Sequence, residues 1–168
     1  LDFIELAKEK VPDICVGTDI IVGFPGETDA HFEQTLAFTK AAPIDYMHVF
    51  SYSERPLART RRRDDPVPSA TIKTRSEQLR NLSVRKRQVY MQAFINQTQD
   101  VLFEQEKRGY WTGVTDTFIR VQVPVPTESN ESLKNRILPV RLISVQEDRV
   151  IGELQISPIE PASSTIER

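Results

Sequence analysis

Residues 14–22, ICVGTDIIV, form a short and nearly continuous apolar run rich in β-branched side chains, and it breaks directly into Gly23-Phe24-Pro25-Gly26-Glu27-Thr28. A run of this kind reads as a parallel strand buried on both faces. Thr28 is then placed to cap a helix, with Asp29 in its first turn and Phe32 and Leu36 on one face, and Pro43 ends it. Residues 46–52, YMHVFSY, read as a second strand. Strand, glycine loop, helix and strand make a βαβ unit with a right-handed crossover. Ahead of it, Leu1, Ile4 and Leu6 mark the tail of a helix stopped before Pro12.

The texture changes twice downstream. Residues 53–68 are a polar connector carrying Arg59, Arg61, Arg62, Arg63, Pro66 and Pro68, the natural place for a domain boundary. From Ser69 the pattern is helical, with Ile72, Leu79, Leu82, Val89 and Ala93 on one stripe and Arg75, Arg80, Arg85 and Arg87 largely off it. Beyond residue 97, alternating runs appear around Val101 and Phe103, Ile119 to Val123, Val140 and Leu142, and Val150 to Leu154. Turn signals such as Arg108-Gly109 separate them. About five short strands in roughly 60 residues suit a small closed barrel of the OB type. Residues 158–168 read as a disordered tail.

Charge is distributed unevenly. Residues 1–54 hold 3 basic and 10 acidic residues, whereas residues 55–87 hold 11 basic and 3 acidic ones. Such a basic block either solvates a linker or docks on a polyanion. One cysteine, Cys15, excludes an internal disulfide and suits a reducing cytoplasm. No apolar run approaches the roughly 20 residues of a membrane span. The chain starts at Leu1 and its methionines are Met47 and Met91, so it reads as a fragment of a longer protein.

Three constellations could carry chemistry. The Gly23–Thr28 loop follows a strand, and ligands of parallel sheets bind at the carboxyl ends of strands. It lacks the Gly-Lys-Ser/Thr of a phosphate-binding P-loop, so it is either a plain βα turn or a ligand loop. Asp19 lies inside the apolar strand, where a carboxylate is costly unless paired or poised for a ligand. Tyr52-Ser53-Glu54-Arg55 ends the second strand on the same side, with Glu54 and Arg55 either salt-bridged or functional. Arg85-Lys86-Arg87 spreads charge around the helix, as phosphate contacts require. Tyr110, Trp111, Phe118 and Arg120 bring aromatic and cationic groups together, as single-stranded RNA platforms do, although Trp111 and Phe118 read equally well as core. His31, His48 and Cys15 have no metal-ligand spacing and read as structural.

Several strings resemble radical S-adenosylmethionine methylthiotransferases. Thr18 to Thr28 (TDIIVGFPGET) is similar to the strand and loop near the end of their catalytic barrel, and His48 to Pro56 (HVFSYSERP) to the last barrel strand and its exit. Gln78 to Arg87 (QLRNLSVRKR), Asp100 to Glu104 (DVLFE) and Gly113 to Val121 (GVTDTFIRV) resemble the connecting helix and the start of the TRAM domain. The helix-to-barrel segment is nearest the branch that modifies threonylcarbamoyladenosine. Two departures stand out. Leu57-Ala58 follows Pro56 where a Gly-Thr pair is usual, and Thr117-Phe118 replaces Asn-Tyr.

The resemblance implies an α/β plus all-β chain. Residues 1–58 would be the last βαβ portion of a TIM-like partial barrel, 59–96 a connector with a long basic helix, and 97–157 an RNA-binding β-barrel. It implies S-adenosylmethionine and [4Fe-4S] clusters in the full-length enzyme, an electron donor for the cluster, and tRNA as partner. The cluster-binding cysteine motif is absent here, so neither metal ligands nor catalytic residues are assigned and the chain alone should be inert. Asp19, Gly23, Phe24, Pro25, Gly26, Glu27 and Tyr52 would shape the cofactor end. Arg85, Lys86, Arg87, Tyr110, Trp111 and Arg120 would meet RNA. Two alternatives stand beside it: a non-catalytic RNA-binding adaptor, or a sister enzyme acting on isopentenyladenosine or a ribosomal protein.

Overall fold

The computed structural model describes residues 1–54, 65–125 and 132–155, so the connector's Arg55 to Arg63 and the tail expected at 158–168 lie outside the described residues. Two compact units divide after Ala93 rather than in the connector, and the long helix belongs by its contacts to the first. Each is described by itself.

In the first unit, α1 (Asp2–Lys10) precedes β1 (Gly17–Val22), α2 (Asp29–Ala41), β2 (Tyr46–Ser51) and α3 (Ser69–Gln92). Strands β1 and β2 pair in parallel, Gly17 opposite Tyr46 through Val22 opposite Ser51. Val22, Phe32, Ala42, Ile44, Met47, Leu79 and Leu82 form one core, with Ile20, Leu36 and Val49 packed against it. Thr28 caps α2 as its sequence requires. Its hydroxyl accepts from the His31 backbone N–H, while His31 Nδ1 accepts from the Thr28 N–H, which gives His31 its structural task.

Two expectations fail here for one reason. Strand β1 is not buried on both faces, because its exposure alternates and only Ile20 and Val22 turn toward the helices. Asp19 is therefore exposed and bears no burial cost. The other face of the two-stranded sheet leaves Ile21 59% and Phe50 52% exposed.

Helix α3 also departs from its apolar stripe. Val89 is 74% exposed, while Arg75, Ser76 and Ser83 are buried beside Leu79, Leu82 and Tyr90. The reason is β2. Among the described residues its edge away from β1 meets no strand, and α3 answers its backbone groups with polar side chains. Ser83 Oγ accepts from the Met47 N–H at 2.8 Å and donates to the Met47 carbonyl at 3.0 Å. Arg80 donates to the Val49 carbonyl at 3.3 Å, and the Ser76 and Ser51 hydroxyls lie 3.2 Å apart. A buried strand edge left unsatisfied would cost more than these polar residues do.

The second unit holds β3 (Thr98–Lys107), β4 (Tyr110–Thr115), β5 (Arg120–Pro124), β6 (Ile137–Gln146) and β7 (Arg149–Leu154). They close in the order β3-β4-β5-β7-β6, with β6 returning to β3. All pairs are antiparallel except β5–β7, the five-strand closure of an OB-type barrel. Val101, Phe103, Ile119, Val121, Val123, Val140, Leu142 and Val150 fill the interior in the alternation their sequence displays. Gly113 is required where β3 crosses β4, since a Cβ there would sit 2.5 Å from the Leu102 carbonyl oxygen.

Candidate functional site

The loop after β1 is built from its own sequence and latched by α3. Gly23 adopts φ +83°, and a Cβ on it would strike the Ile72 side chain at 2.4 Å, so any other residue there would be strained. The Gly23 N–H donates to Glu27 Oε2 at 2.9 Å, the Glu27 N–H to the Phe24 carbonyl at 2.9 Å, and the Gly26 N–H to the Asp65 carbonyl at 2.9 Å. Arg75 fastens the far side. One guanidinium nitrogen donates to the Glu27 carbonyl at 3.0 Å and to Glu27 Oε1 at 2.5 Å, and the other reaches Asp29 Oδ1 at 2.5 Å. The same guanidinium lies 5.3 Å from the centre of the Phe32 ring. Burial disfavours its charge, but the hydrogen bonds to Asp29 and Glu27 outweigh that and hold its pKa above the ordinary arginine value.

This latch decides which expected residues face outward. Glu27 and Gly23 are bonded to the loop itself, and Pro25 is buried. Phe24 is 44% exposed and meets Tyr52 edge-on at 5.5 Å, an aromatic pair at the carboxyl ends of both strands. The Tyr52 N–H donates to the Val22 carbonyl at 2.7 Å, which fixes the second aromatic beside the first strand's end. On the open sheet face below, Asp19 stands opposite His48 and Ile21 opposite Phe50. His48 is flanked by Tyr46 at 5.2 Å and Phe50 at 6.5 Å.

The basic triplet of α3 is not uniformly available. Lys86 donates to the Ala42 carbonyl at 2.8 Å, and its partial burial lowers its pKa. The Arg87 guanidinium lies 5.2 Å from the Tyr46 ring centre. Arg85 is the exposed member. Two buried residues that sequence reasoning left without a role fasten parts of the unit. Arg75 is one. Asp45 is the other, buried and bonded to Lys8 at 2.6 Å and to the Val16 N–H at 2.7 Å. A stripe counted at three- and four-residue spacing from Ile72, with charge allowed, passes through Arg75 and reaches Leu79, and that was the available signal.

In the barrel, Tyr110 and Arg120 both face outward on the β4–β5 pair, at opposite ends of the register. Tyr110 pairs with Pro124 and Arg120 with Val114, so four residues of strand separate them, roughly 13 Å. Trp111 is 6% exposed and belongs to the core. Its position alternates in phase with Gly113 and Thr115, opposite Val123, so its ring cannot stack on RNA. Phe118 departs the other way and is 69% exposed.

Among the described residues no group of three or more His, Cys, Asp or Glu side chains could hold a metal ion. Cys15 stands alone, and burial pushes its thiol above the usual range against the opposing pull of Arg87. These residues do not fit an iron–sulfur cluster. No described helix is long and apolar enough to cross a membrane.

No family model matches the chain. Curated relatives do. A tRNA-2-methylthio-N(6)-dimethylallyladenosine synthase of Symbiobacterium thermophilum is 32% identical over 152 residues, 90% of this chain and 32% of the relative. A ribosomal protein uS12 methylthiotransferase of Microcystis aeruginosa is 34% identical over 157 residues, 90% of this chain and 35% of the relative. A threonylcarbamoyladenosine tRNA methylthiotransferase of Chlamydia pneumoniae is 32% identical over 154 residues, 92% of this chain and 36% of the relative. The chain thus spans about a third of the length of the curated relatives it matches. Over that shared third it belongs to the radical S-adenosylmethionine methylthiotransferase family.

Proposed function

We propose that this chain is the RNA-gripping part and one active-site wall of an enzyme that adds a methylthio group to N6-threonylcarbamoyladenosine beside the anticodon of tRNA. The observation that carries the RNA half is the OB-type closure with Tyr110 and Arg120 outward on β4 and β5, the strand pair on which such barrels bind oligonucleotides. The choice of nucleoside is supported by the Gln78–Arg87 and Asp100–Glu104 strings, whose likeness is to the threonylcarbamoyladenosine branch.

On this reading Phe24 and Tyr52 offer an aromatic wall to the cofactor, with Asp19 on the open sheet face below them. Gly23, Pro25, Gly26 and Glu27 act by holding the loop's shape. When bound, S-adenosylmethionine with its [4Fe-4S] cluster supplies the radical that activates a C–H bond. The cluster ligands and the docking site for an electron donor are assigned to the part of the relatives this chain does not span. Arg85, Tyr110 and Arg120 are the proposed RNA contacts. Lys86 is engaged with Ala42 and Arg87 with Tyr46, which leaves them as supports for α3. The compartment proposed is the cytoplasm.

Mass spectrometry of tRNA nucleosides from a strain lacking the gene tests this. Loss of 2-methylthio-N6-threonylcarbamoyladenosine, restored by the intact gene, is the expected result. Loss of the dimethylallyl counterpart, or of the uS12 modification with tRNA unchanged, would transfer the chain to a sister substrate.

A further inference from the structure

The turn joining β4 to β5 holds a residue that its backbone disfavours. The Phe118 N–H donates to the Thr115 carbonyl at 3.0 Å, and the Thr115 N–H donates to the Ile119 carbonyl at 3.0 Å. This is a three-residue hairpin loop of Asp116, Thr117 and Phe118, whose last residue sits in the left-handed region and is ordinarily glycine. Phe118 occupies it at φ +62°. Among the described residues, four other non-glycine residues have positive φ: Asn96, Arg108, Asn135 and Glu147. Asparagine tolerates that region, and Phe118 is the apolar member of the set. The turn is also locked from within. Thr115 Oγ1 accepts from the Ile119 N–H at 3.0 Å and lies 2.8 Å from the Thr117 hydroxyl.

Burial does not account for the strain, because the side chain is 69% exposed while its neighbour Ile119 is fully buried. Ile119 turned inward leaves Phe118 and Arg120 on the outer side. There Arg120 pairs with Val114, and Val114 with Leu102, which is 40% exposed. An aromatic face, a guanidinium and an apolar rim thus share one end of the β4–β5 surface. Backbone strain held by a fully bonded turn around an exposed ring is how a binding group is preorganised.

We infer that Phe118 is a stacking platform for one unpaired RNA base, with Arg120 taking the adjoining phosphate. The inference rests on the RNA-binding reading and deepens it by naming the contact. Asp116 shares the turn, so charge alone does not draw a polyanion to this spot, and the ring carries the affinity.

Binding of a short fluorescein-labelled single-stranded RNA to the 168-residue chain, measured by anisotropy across a salt series, tests it. Phe118→Gly relieves the backbone while removing the ring. It should weaken binding about tenfold, within the range for one base stack, at every salt concentration and with the salt slope unchanged. Its melting temperature should stay the same or rise. Phe118→Trp should restore binding, and Arg120→Ala should reduce the slope by about one phosphate contact. Equal binding by Phe118→Gly and wild type overturns the inference while leaving the RNA reading intact, as does a tryptophan variant that binds no better than the glycine one. Loss of self-association in Phe118→Gly with RNA binding untouched would instead make the ring a protein contact. A wild-type chain that binds no RNA removes both readings.

Discussion

Among the described residues, 1–93 hold two parallel strands covered by helices on one face, whereas 94–155 hold five strands that close on themselves, and the two solutions leave different surfaces. Closure pairs each barrel strand with two neighbours, and its core is apolar apart from Thr115, whose hydroxyl is bonded within the β4–β5 turn. The β1–β2 pair has no such closure. One edge is answered by Arg80 and Ser83 of α3, and one face stays open with Ile21 and Phe50 exposed. The unclosed sheet thus adds buried polar bonds from a helix to its apolar core, whereas the closed one relies mainly on packing. Breaking a polar latch should therefore injure the first unit, and crowding should injure the second.

The largest effect is expected at Arg75. Its side chain is 6% exposed and Glu27 15%, so Arg75→Met leaves a largely buried carboxylate without its cation, about 3–5 kcal/mol by analogy with broken buried pairs. Asp29, 90% exposed, adds little, and Asp29→Asn should cost well under about 1 kcal/mol. Hydrogen exchange should show lost protection across β1, the Gly23–Thr28 loop and β2, with the barrel strands unchanged. Equal loss in both units would falsify the division into independently held parts.

A smaller effect should appear in the barrel alone. Gly113→Ala pushes a methyl group against the Leu102 carbonyl, and overpacking of this kind costs about 1–3 kcal/mol. Protection of β3 and β4 should fall while β1 and β2 keep theirs. A variant as stable as wild type would mean that the β3–β4 crossing can spread at no cost.

The same contrast explains what the sequence could reveal. Barrel strands were legible because alternation of Val101 and Phe103, or Val121 and Val123, follows directly from which face is dry. The glycine loop and the Thr28 cap were legible because backbone demands select residue types locally. Arg75 was hidden because its partners lie 46 and 48 residues earlier, and no helical pattern says that a guanidinium will find two carboxylates there. Residue type assigns Trp111 to RNA, and it proves to be core, while Phe118, left open between platform and core, proves to be exposed. The strand phase of Trp111 relative to Val123 and the length of the Asp116–Phe118 turn decided their exposure, and a tight turn lacking glycine was the overlooked sign.

The finest distinction between the units is in how alkali acts on them. In the first unit, burial lowers Lys86 from its ordinary 10.5 and raises Cys15 from its ordinary 9.0. A lysine lowered in the folded state loses its proton there first. The unfolded chain then binds more protons, and stability rises with pH from the lowered value up to 10.5. A raised thiol does the reverse. Its contribution is fully present below pH 9.0 and is lost as pH climbs through the folded value. The two terms have opposite signs in the wild-type chain and partly offset each other where their windows overlap. Cys15→Ala should uncover the rise from Lys86, and Lys86→Met should uncover the fall from Cys15. Urea unfolding at a series of pH values, followed by exchange at β1 and β2 against β4 and β5, reads both. A barrel that shifts in step with the first unit would show that the alkaline response is not local to these two side chains.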